Sequence, residues 1–201
     1  ISFTKDQKIL LDRFNSNIDR AQLRLSQAES AVETGVNILQ RVYELGVQAR
    51  NDTYNAGDRK VIAMEVRNLK DQIQHLANSR DTNGQYIFAG YKVNTMPFVA
   101  DENGDVVHSG DRGLYNLQIS DNQKIATSLD GADVFMRVPH AEGVDNIFSS
   151  LDEMIASLED GRMEDANLEK INGALDHFTL QQTKLGSQMN RADLQREVNE
   201  K

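Results

Sequence analysis

Four histidines and a run of carboxylates are the side chains in this sequence that could carry chemistry. His75, His108, His140 and His177 are far apart in the chain, and no second histidine lies three or four residues from any of them. Zinc sites usually need such close pairs, so the histidines predict no metal centre and no cofactor. The chain contains no cysteine, which excludes thiolate metal ligands, disulfides and cysteine nucleophiles.

Carboxylates concentrate between Glu142 and Glu169, where nine acids accompany one base, Arg162. A solvated helix surface is the ordinary interpretation of such a run, and a docking face for a basic partner is the alternative. Glycine-rich phosphate loops and the GxSxG nucleophile turn are absent. The sequence therefore predicts a protein that is not an enzyme.

Composition argues against further classes of function. The 201 residues carry 22 basic and 31 acidic side chains, a net charge of −9, which argues against binding nucleic acid or an anionic membrane surface. No apolar run is long enough to span a bilayer. Because the chain begins at Ile1 without a methionine or a leader, we expect it to be part of a longer protein.

A seven-residue repeat organises the first fifty residues and predicts a helix over 5–50, ~65–70 Å long at about 1.5 Å per residue. Gly35 and Gly46 lie on the repeat, where each costs about 1 kcal/mol of helix stability. We expect close helix packing there, with a bend or a docking point as the alternative. Steps of three and four join twelve residues: Leu11, Phe14, Ile18, Ala21, Leu25, Ala28, Val32, Gly35, Leu39, Val42, Gly46 and Ala49.

The same period predicts three more helices that pack on the first. One follows the turn at 51–57, is capped by Asp58 or a neighbour, and runs to about Arg80. The others follow Pro139 and are separated by Asp160-Gly161. The seam of these helices is expected to include Phe14, Ile18, Leu25, Val32, Leu39, Val42, Ile62, Leu69, Leu175 and Phe178.

Between the two prolines, Pro97 and Pro139, the pattern changes to short strands. Asn103-Gly104 between two apolar pairs predicts a hairpin. Alternation at 115–119 and the runs at 125–129 and 134–136 predict further strands, and Tyr86–Gly90 predicts a short hairpin near 84–98.

The expected fold is therefore mostly α with a β-rich insert. An elongated antiparallel helical rod would comprise 1–92 and 140–201, and a small antiparallel β domain, 93–139, would sit at its tip.

Several stretches resemble the bacterial flagellin superfamily, and one resembles its hook–filament junction proteins. The closest resemblance is the run from Asp81 to Lys92, DTNGQYIFAGYK, followed by Thr95 and Pro97-Phe98. Further stretches are LQRVYELGVQ at 39–48, YNLQISDNQKIATSLDGADVF at 115–135 and LGSQMNR at 185–191. Together they cover essentially the whole chain.

The resemblance implies a structural, flagellin D1-like rod in a ring between hook and filament. Implied partners are neighbouring copies, the adjacent hook-associated protein, flagellin, and an export chaperone before secretion. It also implies export by the flagellar type III system to the extracellular flagellum. Because the tube-forming terminal helices of the family are not in this sequence, we expect a monomer in dilute solution. A divergent flagellin that forms filaments is the alternative, and an enzyme carried in the insert is a third hypothesis.

The resemblance also suggests where copies touch. The expected subunit-contact patch consists of Gln40, Arg41, Glu44, Leu45, Gln48 and Glu65. Four of these residues look like positions at which flagellins are sensed by a vertebrate Toll-like receptor: Gln40, Arg41, Leu45 and Glu65. Helix packing and subunit contact explain the same residues without a receptor.

Overall fold

A computed structural model describes residues 2–201 as a long helical rod with three small hairpins, which confirms the predicted fold class. Ile1 lies outside the described residues. The helices are α1, Ser2–Ala49; α2, Ala56–Ala77; α3, Ile147–Glu159; and α4, Asp165–Asn199. At about 1.5 Å per residue, α1 alone is ~70 Å long.

The helices form a four-cornered cross-section in one half of the rod. There α1 packs against α4 and α2, and α3 packs against α2 and α4, so α2 and α4 occupy opposite corners. Eleven of the twelve repeat positions of α1 are buried. Leu11 is 38% exposed because it lies beyond Asn15, whose side chain accepts a hydrogen bond from Asn199 in the last turn of α4.

Local side-chain bonds fix where two helices begin. Asn55 caps α2: its Oδ1 accepts from the Asp58 N–H at 2.8 Å, and the Asp58 carboxylate accepts from the Asn55 N–H at 2.9 Å. This capping box satisfies two of the free N–H groups at the helix start. Asn146 caps α3 by accepting from the Ser149 N–H at 2.7 Å.

The β region consists of three separate antiparallel hairpins rather than one sheet. Asn103-Gly104 turns the first hairpin, as predicted, with Gly104 at a φ of +83°. The third hairpin extends past the expected boundary at 139 and includes Val144, within the segment 140–201 that was assigned to the helical rod. The pairs are β1 (Phe98–Ala100) with β2 (Val106–His108), β3 (Asn116–Gln118) with β4 (Lys124–Ala126), and β5 (Val138–His140) with β6 (Gly143–Asp145).

Two runs that were expected to be strands are not. Tyr86 forms a single bridge with Arg80, and Ile87–Ala89 then continues in turns with every residue buried. Successive strand residues point to opposite faces, so three consecutive buried residues are better accommodated by a turning backbone. The run 134–136 lies in a single π-helical turn, Ala132–Met136, which directs Phe135 into the core.

The hairpins lie beside the rod rather than at its tip, which corrects the expected position. The Asn17 side chain donates to the Gln118 carbonyl at 2.8 Å, and the Asn199 side chain donates to the Ile119 carbonyl at 3.2 Å. Because α2 ends at Ala77 and α3 starts only at Ile147, the hairpins cover the apolar surface of α1 and α4 that those helices leave open. A single hydrophobic cluster includes residues of both the helices and the hairpins. The division of the chain into a helical rod domain and a β domain at 93–139 stays a prediction.

Asp81 and Asp101 lie in two similar turns, and the turn at Asp81 fastens the hairpin region to α1. Asp81 Oδ1 accepts from two backbone N–H groups of its own turn, at 2.8 and 3.0 Å, and Asp101 Oδ1 does the same at 2.9 and 3.0 Å. Only Asp81 is buried, and its second carboxylate oxygen accepts from Arg24 at 3.2 Å.

The two glycines on the α1 repeat mark close approaches to other helices. A Cβ at Gly35 would lie 2.8 Å from Phe178 Cε2, inside the contact distance of a buried ring. At Gly46 the nearest atoms are the flexible ends of Leu168, Met163 and Met154. Close packing therefore accounts for both glycines, and the approach is least adjustable at Gly35.

Replacing Asp81 with alanine should destabilise the fold more than the same change at Asp101. Both variants lose a turn acceptor, but only Asp81→Ala also leaves the Arg24 guanidinium without its buried partner. The difference in unfolding free energy should be about 1–3 kcal/mol, measured by urea denaturation. Equal losses in the two variants would show that the Arg24–Asp81 contact does not stabilise the fold.

Gly35→Ala should destabilise the rod by about 1–3 kcal/mol, because the new methyl group overlaps the Phe178 ring. Gly186 is the matched control, since it also lies in a helix but a Cβ there would meet no atom within 4 Å. Gly186→Ala should stabilise by about 0.5–1 kcal/mol. A gain in thermal stability for both variants would contradict the proposed close approach.

Candidate assembly surfaces

The ten predicted seam residues lie inside the rod. Nine are buried, and Leu175 is half-buried because Ala174 takes the more central position on α4. These residues hold the helices of one chain together and leave the outer faces of the rod for other contacts.

The predicted contact patch is partly accessible. Gln40, Glu44 and Gln48 are exposed on α1. Arg41 donates to Glu65 on α2 at 2.9 Å, and this hydrogen bond raises the pKa of Arg41 above its ordinary value. Leu45 is only 2% exposed, so it is buried inside the rod and is not part of the accessible patch.

Two apolar residues beside the patch were missed by the sequence reasoning. Val61 and Met64 on α2 are 66% and 65% exposed. Together with the exposed Lys60 they form a surface that we call the α2 ridge. A signal was available in the sequence, since both apolar residues fall outside the seam of α2.

Most acids of the run have ion-pair partners within the chain. This pairing supports neither an uncompensated acidic surface nor a docking face formed by the whole run. Lys170 contacts both Asp145 and Glu153 at 2.7 Å, and its hydrogen bond lowers the pKa of Asp145. Seven of the nine acids have ion-pair partners: Asp145, Asp152, Glu153, Glu159, Asp160, Glu164 and Asp165. Of the run, Glu142 and Glu169 have no ion pair among the described residues.

A groove of about 570 Å³ opens between the outer face of α4 and the β5–β6 hairpin, and we call it the α4 groove. The hairpin comes close because residue 173 is glycine: a Cβ there would lie 2.6 Å from the Pro139 carbonyl oxygen. Leu180 is 52% exposed in this groove. Its lining is apolar at Pro139, Ala141, Gly173 and Leu180 and acidic at Glu169 and Asp176.

His177 lies in this groove but anchors structure instead of offering a metal ligand. Its Nε2–H donates to the backbone carbonyls of Asp133 and Val134 at 2.7 and 3.1 Å, which ties α4 to the π-helical turn. Burial lowers the pKa of His177, which favours the neutral form of the ring. Within residues 2–201, no three His, Asp or Glu side chains are placed to hold a metal ion. Each helix in the described part of the chain is too short or too polar to cross a membrane.

Comparisons with known proteins agree with this arrangement. Residues 4–93 match the bacterial flagellin N-terminal helical region. The flagellar hook-associated protein 3 of Salmonella typhimurium is 33% identical over 162 residues, 77% of this chain and 50% of that protein. The Escherichia coli protein of the same name is 30% identical over 193 residues, 86% of this chain and 60% of that protein. The chain thus spans about half of these relatives.

The fold is shared along the whole chain. The crystal structure of hook-associated protein 3 from Legionella pneumophila matches with a TM-score of 0.90 and 20% identity, covering 100% of this chain and 94% of that chain. Bacillus cereus flagellin matches with a TM-score of 0.59 and 20% identity, covering 92% and 88%. The fold and the matched region are similar to those of a flagellin-type helical rod. More particularly, the chain is similar over most of its length to flagellar hook-associated protein 3.

Acid should weaken the fold through His177. Its pKa is lowered from 6.5, so as the pH falls the unfolded chain takes up this proton before the folded chain does. The stabilisation is complete above pH 6.5 and declines as the pH falls from there to the lowered pKa. We expect His177→Gln to flatten this part of the stability curve, measured by urea denaturation between about pH 8 and pH 5. The same replacement at exposed His75 is the control, and an unchanged slope in His177→Gln would contradict the assignment.

Proposed function

We propose that this chain is the rod portion of a junction protein that links the flagellar hook to the filament by subunit packing. The observation that carries the proposal is that helices and hairpins together match hook-associated protein 3 over the full chain, with a TM-score of 0.90. The sequence similarity to the Salmonella protein supports the same assignment.

The physical design suits a mechanical role. The α1 helix runs the length of the rod, and its seam is filled by α4, α2 and the hairpins. Ion pairs such as Arg67–Glu159 and Lys70–Asp152 join α2 to α3 along their length. A rod joined laterally at many points can transmit torque between two lattices with little internal rearrangement.

The partners in this proposal are neighbouring copies in a ring, the adjacent hook-associated protein and flagellin. Before assembly, a flagellar export chaperone would hold the protein, and the flagellar type III system would deliver it to the extracellular flagellum. The protein does not act as an enzyme. Each lateral contact is weak and gains strength from ring closure, so this chain alone is a monomer in dilute solution.

A flagellin that builds the filament itself is the second candidate. It is favoured by the match of residues 4–93 to the flagellin N-terminal helical region. The lower TM-score with Bacillus cereus flagellin, 0.59, supports the junction protein instead. The discriminating property is polymerisation of the complete protein without other components.

Gold-labelled complete gene product should add to the distal ends of isolated hooks and then accept the next hook-associated protein, as counted by electron microscopy. The same preparation, incubated alone under conditions in which a reference flagellin polymerises, should form no filaments. Flagellin is the matched control protein in both arms. Failure to label hook ends, or bulk filaments from the protein alone, would overturn the junction role.

A further inference from the structure

Two outward surfaces of the rod lie at overlapping heights on opposite corners. The Arg41–Glu65 contact places the α2 ridge beside residues 41–45 of α1. The approaches of Gly35 to Phe178 and of Gly46 to Leu168 place the α4 groove, whose α4 residues lie between 169 and 180, beside roughly residues 34–45 of α1. Because α2 and α4 are at opposite corners, the ridge and the groove face away from each other.

The shapes of these two surfaces are complementary. The ridge presents Val61 and Met64, each with about two thirds of the residue's surface exposed. The groove offers a concave apolar floor at Pro139, Ala141 and Leu180. A flexible methionine is well suited to filling such an irregular depression.

Their charges are complementary as well. The acids of the run 142–169 that lack an ion pair in the described chain are Glu142 and Glu169, and both lie at the groove or in the hairpin turn beside it. Asp176, in the groove lining, also lacks one among the described residues. Lys60 on the ridge is exposed and has no ion pair within residues 2–201.

We propose that the α2 ridge of one copy docks into the α4 groove of a second copy of this chain. The proposal rests on the proposed function, because it names the faces through which neighbours in the ring touch. A contact between two different faces repeats head to tail, so it closes into a ring when the rotation per subunit allows. Met64 packs beside Leu180, and Lys60, one helical turn away on α2, lies against Asp176, one turn away on α4.

These 201 residues contain no cysteine, which makes a direct test with this chain possible. Met64→Cys and Leu180→Cys are made separately, checked for unchanged unfolding by urea, mixed at high concentration and oxidised. Leu194→Cys is the matched control, since this leucine is also on α4 and 62% exposed but lies outside the groove.

The Met64–Leu180 cross-linked heterodimer should exceed the Met64–Leu194 heterodimer and both Met64 and Leu180 homodimers by about tenfold, the ratio expected for a single well-packed anchor. Lys60→Glu should reduce this yield, and adding Asp176→Lys on the partner copy should restore it, because Asp176 lies one helical turn from Leu180 as Lys60 does from Met64. Equal yields for all cysteine pairs would overturn the proposal.

The same pair is then tested in isolated flagella from cells that express the complete protein with both cysteines, Met64→Cys and Leu180→Cys, in one chain. A ladder of cross-linked multimers at the junction is expected. Labelled junctions without a ladder would refute the ridge-and-groove contact and leave the junction function intact. Absence of the protein from the flagella would refute the junction function, and the mixing experiment would still decide the contact.

Discussion

The close packing of α1 against α4 is the contact on which the rest of the structure depends. At Gly35 the two helices lie so close that the space beside the Phe178 ring holds only the glycine hydrogen and has no room for a Cβ. Phe178 in turn contacts Phe135, with ring centroids 5.5 Å apart, and Phe135 contacts Phe98 and Phe88. The spacing of two helices thus sets the position of the aromatic core that holds the hairpins.

Ion pairs within the chain explain why so acidic a protein leaves few unpaired charges for a partner to bind. The acids of α3 pair with bases on α2 and α4, such as Lys70 and Lys170, so they stabilise the rod itself. Surface pairs of this kind contribute little singly, but they leave a small set of unpaired charges. Those that remain near Glu169 coincide with a concave apolar surface, which is why the acidic run is informative only after its internal partners are known.

The periodic parts of the fold were predictable and the aperiodic parts were not. The repeat of α1 and the Asn103-Gly104 turn depend on neighbouring residues in the chain, so their local signals were sufficient. Ile87–Ala89 and the π-helical turn were misread as strands because short apolar runs look alike until their packing partners are known. Leu45 was assigned to an exposed contact patch because its packing partners could not be known from the sequence. In its half of the rod α1 has α2 on one side and α4 on the other, so the buried stripe is wider than the repeat.

By itself, the sequence determined the helices, their antiparallel order and the absence of cysteine chemistry, because periodicity, turn residues and composition are properties of the chain alone. The tertiary structure decided that the hairpins lie along the rod and that seven of the nine acids have ion-pair partners. It also decided that an apolar ridge and an acidic-rimmed groove lie at overlapping heights on opposite corners. Those features depend on residues far apart in the chain, such as Asn17 and Gln118, and only packing sets their relative position.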